Sequence, residues 1–342
     1  MQFGYSETCL AHDPGPRHPE TADRLRAIRE RLKKKHGVEY VAADPCTAEQ
    51  IEAVHDPEYV DALEEFCADG GGNWDPDTTA SEGTWDAIRH SAGLACWAVE
   101  AALDGDDGRK TPFSLGRPPG HHAVADDAMG FCFVNNAAVA AQHALDSGEY
   151  DVDRVAIIDW DVHHGNGTQD VFYDRDDVYF VSIHEQGLYP GTGEIDETGD
   201  GDGAGTTMNV PMPAGTDDVE YLAAVEGPIA AAFDAFDPDL VIVSAGFDAH
   251  RHDPISRIRL STEAYALMTD RMRTVADETD AALAFVLEGG YGLDVLADSV
   301  AIVHETFDGR DPLEPGDELA DQAVSTLEDV ADEHGLDVDL GS

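Results

Sequence analysis

Short apolar runs alternate with longer amphipathic segments along the chain, and no internal repeat interrupts the pattern. The apolar runs are rich in Val and Ile and predict five strands, at residues 111–116, 154–159, 178–183, 240–245 and 283–288. Apolar residues on consecutive positions are typical of parallel strands that are buried on both faces. Helical periodicity between the runs predicts helices at residues 135–148, 219–236 and 261–279. The alternation predicts an α/β fold with an open, doubly wound sheet.

The length of the chain, 342 residues, fits two ordinary domains or one large α/β domain. We expect one domain over residues 1–311, followed by an acidic C-terminal extension, residues 312–342, with one amphipathic stretch. No apolar run approaches the ~18 residues of a membrane span, and the first residues lack the positive charge of a secretory signal. We therefore expect a cytoplasmic protein without a membrane partner; the oligomeric state stays open.

The composition is strongly acidic, since 20 basic and 71 acidic side chains give a formal net charge of −51. Such a charge repels a phosphate backbone, so we expect no direct nucleic-acid partner. Many aspartates and few lysines resemble halophilic proteins, in which molar salt screens self-repulsion. One basic cluster, residues 24–35, also carries Leu25, Ile28 and Leu32 at helical spacing. We interpret it as a solvated helix face rather than a binding patch.

The cysteines do not form a recognisable metal or disulfide motif. Five are scattered along the chain without a C-x-x-C pair, at Cys9, Cys46, Cys67, Cys96 and Cys132. We interpret them as small buried apolar residues rather than disulfide partners or zinc ligands.

Each predicted strand runs directly into a polar cluster. The clusters are RPPGHHA after the first strand, then DWDVHHGNG, HEQGLYPGTG, GFDAH and EGGYG. Ligands of open α/β sheets bind outside the carboxyl ends of the strands, where such loops meet. The five clusters therefore predict one shared site.

Three residues of these clusters have the chemistry of a metal site. Asp161 and His163 are separated by one residue and can point the same way, and Asp248 supplies a third ligand from another strand end. For an isolated D-x-H sequence, hydrogen-bonded loop residues would be the better interpretation, but the neighbouring clusters favour a metal. Two carboxylates and an imidazole suit a catalytic zinc with an open position for water, and Fe(II) or Co(II) also fit so oxygen-rich a set.

Acid-base and oxyanion chemistry have candidates in the same clusters. His121 and His122 can act as general acid and base near neutral pH. Asp159 and Asn166 can fix the histidine tautomers by hydrogen bonds. Tyr291 lies in a Gly-rich turn that can aim its hydroxyl at a developing oxyanion. Together with an activated water, these residues indicate a hydrolase.

These motifs resemble, in order, those of the histone deacetylase superfamily. The matching sequences are RPPGHHA, GFCFVNNAA, DWDVHHGNGTQ, SIHE followed by YPGTG, SAGFDAH and LEGGY. The likeness is greatest to the class II and bacterial class II-like branch, and it runs from HPETADRLRAI near the start to about residue 310. It implies an arginase-deacetylase fold, which is a three-layer α/β structure with an open parallel eight-stranded sheet. It also implies zinc-dependent hydrolysis of an acetylamide in an acetylated protein or peptide.

The resemblance implies a role for each matching position. Asp161, His163 and Asp248 would hold zinc, His122 would be the general base and then the acid, and His121 with Asp159 its electrostatic partner. Asn166 and Tyr291 complete the catalytic set, with Tyr291 bonded to the substrate carbonyl and then to the oxyanion. The implied substrate-binding positions are Gly130, Phe131, Tyr189, Ile255 and Gly289. A structural potassium ion would be held by Asp159, Asp161, His163, Ser182 and Ile183, largely through backbone oxygens.

A second metal ion is not expected. Related two-manganese enzymes of this fold use D-x-H-x-D and D-x-D, whereas the corresponding positions here are Gly165 and His250. The carboxylates that would bridge a second ion are therefore absent from the sequence.

Three functions remain open at this point. The leading hypothesis is a deacetylase acting on acetyl-lysine in proteins, the second is an acetylpolyamine amidohydrolase, and the third is a silent acetyl-binding module. The complete set of catalytic residues disfavours the third. Ile255 favours acetyl-lysine, because polyamine-selective members of the family place an acidic residue there to offset desolvation of the distant ammonium. Asp75 or Asp77 in the GGNWDPDTT loop could supply that charge instead.

Overall fold

A computed structural model describes residues 1–316 and 319–338 and contains an eight-stranded sheet in which all strands are parallel. Two further strands form a small antiparallel ribbon, β3 and β4. In chain order the strands are β1 Gln2–Gly4, β2 Glu39–Val41, β3 Gly71–Asn73, β4 Thr79–Ser81, β5 Pro112–Ser114, β6 Val155–Asp159, β7 Val178–Glu185, β8 Thr207–Met212, β9 Leu240–Ala245 and β10 Ala282–Leu287. The expected open parallel sheet is confirmed.

The spatial order of the sheet is β2-β1-β5-β10-β9-β6-β7-β8. The five strands predicted from the sequence, β5, β6, β7, β9 and β10, form its continuous centre. The three strands that the pattern missed all lie toward the edges. β1 and β2 have only three residues each. β8 contains Asn209 and Pro211, and it can accommodate the proline because one side of an edge strand forms no ladder hydrogen bonds.

Eleven α-helices are present in the described residues and flank the sheet. They are α1 Asp23–Leu32, α2 Ala48–Glu52, α3 Pro57–Ala68, α4 Thr84–Leu103, α5 Asn136–Asp146, α6 Asn166–Phe172, α7 Asp218–Ala224, α8 Ala230–Phe236, α9 Thr262–Thr279, α10 Leu293–Phe307 and α11 Asp321–Glu333. A π-helical turn, Val225–Ile229, contains Pro228 and joins α7 to α8. The three predicted helical segments correspond to α5, to the α7–α8 pair and to α9.

Alternate residues of the central strands enter two separate cores. In β6, Ile158 packs in the core formed with α1 and α7 to α11, whereas Ile157 packs in the core formed mainly with α2 to α6. Val243 and Ile242 of β9 divide in the same way. Side chains of successive strand residues point to opposite faces, so an apolar run can fill both cores. The result is the three-layer architecture that the alternation predicted.

The basic helix α1 corrects one expectation. Leu25, Ile28 and Leu32 are buried against the sheet, as the helical spacing indicates. Arg24, however, is not on a solvated face, because its side chain is fully buried. Buried carboxylate and carbonyl oxygens accept its N–H groups, which allows an arginine in the core.

The C-terminal extension contributes to packing. Its amphipathic stretch forms α11, and Leu327 and Val330 of that helix are buried in the core next to the edge strand β8. Residues 317–318 and 339–342 of the extension lie outside the described residues.

Over residues 1–316 and 319–338, no helix is both long enough and apolar enough to cross a membrane.

Candidate active site

The carboxyl ends of the five central strands bring the predicted polar clusters together. Asp159, the last residue of β6, pairs with Ser182 of β7 on one side and with Ser244 of β9 on the other. The loop after β6 contacts the loop after β9, since the Val162 N–H donates to Asp248 Oδ1 over 2.9 Å. These two residues are 86 positions apart in the chain. Sheet topology therefore builds the site from distant segments.

Asp161, His163 and Asp248 form a buried cluster at this edge. One potential ligand atom from each lies within 4.8 Å of the other two. The Nδ1 of His163 is 2.9 Å from Asp161 Oδ1 and 3.3 Å from Asp248 Oδ2. A Cβ on Gly289 would lie 2.3 Å from Asp248 Oδ2 and 2.4 Å from Asp161 Oδ2, so glycine is required for the carboxylates to approach this closely.

The cluster has the properties of a cation site. The Asp248 Oδ2 atom is buried and accepts no hydrogen bond, which is costly unless a positive charge lies beside it. Burial and the nearby Asp161 raise the pKa of Asp248 to about 7. Burial by itself would lower the pKa of His163, but its hydrogen bond to Asp161 and the nearby charge of Asp248 raise that pKa to about 10. Three convergent ligands and an unpaired carboxylate oxygen fit a divalent ion with an open position, such as zinc.

The two tandem histidines have different partners. His121 Nδ1 lies 2.8 Å from Asp159 Oδ2, whereas His122 Nδ1 lies 2.8 Å from the amide oxygen of Asn166. Burial opposes a charge on His121, yet Asp159 and Asp161 raise its pKa to about 10. Burial and the neighbouring His121 hold the pKa of His122 well below its usual value. The pair thus presents one cationic and one neutral imidazole.

Hydrogen bonding also defines the tautomer of His122. The Asn166 amide oxygen can only accept, so Nδ1 of His122 carries the proton and donates. Its Nε2 is left with a free lone pair, which is the form that a general base requires.

An aromatic wall lies next to the histidines. The Tyr189 ring stands perpendicular to the His122 ring at 5.1 Å, and the Phe131 ring packs on the Tyr291 ring at 5.7 Å. Gly130 lies between His122 and Tyr189, because a Cβ there would be 2.4 Å from the His122 ring and 2.9 Å from Tyr189. Gly130 and Phe131 both have positive φ, at 56° and 69°. A positive φ is unusual for phenylalanine, and here it turns the ring toward the site.

The loop that carries Tyr291 is fixed by a buried carboxylate that the sequence had not singled out. Asp253 Oδ2 accepts the backbone N–H groups of Tyr291 at 2.7 Å and Gly292 at 2.8 Å. Its other oxygen accepts the N–H of Ile255 at 3.2 Å. One side chain therefore ties the Tyr291 turn to the rim segment that includes the half-buried Ile255.

Two more buried residues support the same loop and were missed. Arg24 donates through Nε to the Gly290 carbonyl at 2.7 Å and also to the Glu288 carbonyl, and its guanidinium lies 5.1 Å from the centre of the Tyr291 ring. The Glu288 carboxylate accepts the N–H groups of Gly120 at 2.7 Å and His121 at 3.2 Å. An acidic residue ending an apolar strand was a usable signal for Glu288. The signal for Arg24 was its i,i+4 spacing from Glu20, with which it forms a buried ion pair.

The positions of the expected potassium site are adjacent in the sheet. Ser182 and Ile183 follow one another in β7, both are buried, and Ser182 is the strand partner of Asp159. His250 stands where the related two-manganese enzymes have a carboxylate, and its Nε2 lies 3.1 Å from the Thr262 hydroxyl.

Comparisons with known proteins agree with this geometry. The family model for the histone deacetylase domain matches residues 18–307. "Histone deacetylase-like amidohydrolase" of Pseudomonas aeruginosa is 34% identical over 98% of this chain and 96% of its own length. "Probable deacetylase" of Archaeoglobus fulgidus is 38% identical over 85% of this chain and 81% of its own. The crystal structure of the HDA15 HD domain superposes with a TM-score of 0.89 at 35% identity, covering 98% of this chain and 96% of that one.

The fold and the comparisons define an amide hydrolase of the deacetylase class on a parallel α/β sheet. The chain belongs to the histone deacetylase family, whose members include deacetylases of archaea, bacteria and plants, and it is a deacetylase hydrolase. The resemblance drawn from the sequence motifs is confirmed, and so is the arginase-deacetylase fold.

Proposed function

We propose that this protein is a zinc-dependent deacetylase that hydrolyses the acetyl amide of acetyl-lysine in proteins or peptides. One observation carries the proposal. A buried cluster of two carboxylates and an imidazole, with an unpaired Asp248 oxygen, lies beside a histidine pair whose two members are set to different protonation states. That combination is what metal-assisted hydrolysis with general acid-base catalysis requires.

Asp161, His163 and Asp248 would hold the ion. When bound, it would polarise the acetyl carbonyl and lower the pKa of a water molecule. His122 would accept the water proton at Nε2, because Nδ1 is held as a donor by Asn166, and would then deliver a proton to the departing lysine amine. The cationic His121 would stabilise negative charge from its position against Asp159.

Tyr291 would act on the substrate oxygen. Burial raises the pKa of Tyr291 well above its usual value, so its hydroxyl stays protonated and can donate to a developing oxyanion. The lysine side chain would lie along the wall formed by Phe131 and Tyr189, and the carbonyl of Gly130 would accept the substrate N–H.

The rim supports acetyl-lysine over a polycation. Ile255 is half-buried and apolar, and its backbone is fixed through Asp253. A peptide backbone tolerates such a rim, whereas a cationic polyamine gains from a carboxylate close to its ammonium.

Hydrolysis of acetylpolyamines is the alternative, and one observation favours it. Burial is the main reason that the pKa of Tyr189 is raised, but the charges of Asp77 and Asp75 also contribute, so these carboxylates lie near the aromatic wall. One oxygen of Asp75 already accepts the N–H groups of Asp77 and Thr78. Because these hydrogen bonds already occupy that oxygen, Asp75 should bind a cation more weakly than a free carboxylate would.

The test is a comparison of kcat/KM for an acetyl-lysine peptide and for an acetylspermidine, with the enzyme loaded with zinc, Fe(II) or Co(II). We expect turnover with zinc and a higher kcat/KM for the peptide. A preference for acetylspermidine would replace the proposal by its alternative. Binding of the acetylated peptide without turnover by any of the three metal forms would instead indicate an acetyl-binding module.

We also propose a potassium ion near Asp159 and Ser182 and a working environment of high salt. The support is the adjacency of the two residues in the sheet and the net charge of −51. Molar salt shortens the screening length to about 3 Å, which removes most of the repulsion between surface carboxylates. Unfolding midpoints measured in molar KCl and in molar NaCl separate a potassium site from a general effect of high salt, because only a specific site distinguishes potassium from sodium.

A further inference from the structure

Two of the five buried cysteines lie side by side, outside the site described above. The Sγ atoms of Cys46 and Cys96 are 3.6 Å apart, and the two residues are only 2% and 5% exposed. Cys46 precedes α2, and Cys96 lies within α4. All five cysteines are free thiols, and no other thiol pair in the described ranges, 1–316 and 319–338, is in contact.

The backbone holds Cys46 against α4. The N–H of Cys46 donates to the carbonyl of Arg89 at 2.9 Å, and Nε of Arg89 donates back to the Cys46 carbonyl at 2.7 Å. One turn further along α4, a Cβ on Gly93 would lie 2.2 Å from the Asp44 carbonyl oxygen. The segment 44–46 therefore packs directly on the helix backbone, which sets the thiol of Cys46 opposite that of Cys96.

A small oxidant can reach the pair. A cavity of about 250 Å³ is lined by both cysteines together with Asp44, Gln50 and Glu100. Asp44 is exposed, and Gln50 and Glu100 are half-buried, so the cavity reaches the surface. A water molecule occupies about 30 Å³ of liquid, so a peroxide molecule fits with room to spare.

We propose that Cys46 and Cys96 form a reversible disulfide when the protein meets hydrogen peroxide. The Cys46 sulfur attacks one peroxide oxygen, the O–O bond breaks, and the products are a sulfenic acid and one water. The Cys96 sulfur then attacks the Cys46 sulfur, the S–O bond breaks, and the hydroxide leaves with the Cys96 proton as a second water. Two thiols are oxidised to one disulfide, and the peroxide is reduced to two waters.

The geometry fits this order of events. The sulfurs must approach by roughly 1.5 Å to reach the length of an S–S bond, which side-chain rotation with a small backbone shift can supply. The hydrogen bond to Cys46 and burial raise the pKa of Cys96 well above its usual value, so Cys96 keeps its proton until a sulfenic acid forms beside it. The product ties segment 44–46 covalently to α4 and closes a loop of about 50 residues, which restrains the unfolded chain.

The experiment treats the full-length folded protein with hydrogen peroxide and maps its peptides without reduction. We expect a cross-linked pair of peptides containing Cys46 and Cys96, with the mass of two hydrogens lost, and its disappearance after dithiothreitol. The unfolding midpoint of the oxidised protein should rise by roughly 5 °C. Activity is not the readout, because Cys132 lies next to the active site, with Sγ 3.4 Å from the Gly130 carbonyl.

Matched variants test the assignment. Cys46→Ala and Cys96→Ala should each abolish the cross-link and the rise in midpoint, whereas Cys67→Ala, which alters an equally buried but unpaired cysteine, should retain both. Free thiols at Cys46 and Cys96 after peroxide treatment, oxidation of single cysteines to sulfinic acid, or a cross-link seen only in urea would each overturn the proposal. The peptide map of the unmodified protein decides the question even where an alanine variant does not fold.

Discussion

The two ends of the central strand β9 carry similar residues in opposite situations. At its amino end, the half-buried Asp239 accepts the N–H groups of Asp153 at 2.8 Å and Arg154 at 2.9 Å. Beyond its carboxyl end, Asp248 is fully buried, and its Oδ2 accepts no hydrogen bond. Asp239 stabilises the contact between the segments that lead into β9 and β6. Asp248 has a buried oxygen whose desolvation a cation would offset, which is what we expect where the carboxyl edge of the sheet binds a ligand.

Substitution of each aspartate by asparagine gives the largest expected contrast. Asp248→Asn should lower kcat/KM by roughly 10³-fold or more and reduce bound metal from about one ion per chain, because a catalytic site uses all three ligands. The folded state of the metal-free variant should be as stable as the unmodified protein, since asparagine can still accept the Val162 N–H and removes a buried carboxylate oxygen that accepts no hydrogen bond. Asp239→Asn should leave kcat/KM within about twofold and lower the free energy of unfolding by about 1 kcal/mol.

Kinetics, elemental analysis and chemical unfolding of the two variants check this prediction. The contrast between the strand ends would be wrong if Asp239→Asn lost activity as strongly as Asp248→Asn, or if the unmodified protein bound two ions per chain. Full activity after chelation and dialysis would show that no metal is used.

The next effect concerns the oxyanion. Tyr291→Phe should lower kcat by roughly 10²-fold with little change in KM, because the hydroxyl acts on charge that develops only during attack. Metal content should be unchanged, which separates this loss from the loss in Asp248→Asn. A Phe variant that kept its kcat would mean that the ion alone stabilises the oxyanion.

Asp253 should act through Tyr291 rather than on the substrate. Asp253→Ala removes the acceptor of two N–H groups in the Tyr291 turn, so we expect kcat to fall by roughly 10-fold while KM changes little. Asp253→Asn keeps one carbonyl oxygen and should recover part of the loss. In a Tyr291→Phe background the same Asp253→Ala change should have almost no further effect on kcat. Additive losses in the double variant would contradict the positioning role.

The last effect, on substrate preference rather than on rate, should appear at the rim, where loops rather than strand ends place the residues. Ile255→Glu should shift the ratio of kcat/KM for acetylspermidine over acetyl-lysine peptide by roughly 10-fold toward the polyamine, since a carboxylate offsets desolvation of the ammonium. Ile255→Leu is the matched control and should leave the ratio unchanged. An unchanged ratio in the Glu variant would show that another rim group sets specificity, with Asp77 as the first to examine.

The positions of the site loops were predictable from local sequence. Apolar runs of Val and Ile indicate buried strands wherever they occur, and the five strands they predicted are the central ones that carry the polar loops. The three-residue strands β1 and β2 were not predicted, because three residues are too few to show a hydrophobic period and their pairing depends on the neighbouring strands. The burial of Arg24 had only a partial local signal, its spacing from Glu20, because the carbonyls of Glu288 and Gly290 that also accept its N–H groups lie far away in the chain.

By itself, the sequence determined which residues have side chains suited to catalysis or metal binding and that they follow strands, because side-chain type and hydrophobic period are local properties. Only the tertiary structure decided which of them meet. Asp161 and Asp248 become neighbours because β6 pairs with β9, and Gly289 donates its N–H to Asp161 at 2.8 Å across 128 residues because β10 lies on the other side of β9. The surroundings of Asp248 and the two bonds from the Tyr291 turn to Asp253 follow from that pairing. Long-range pairing depends on the whole sheet, and no local pattern encodes it.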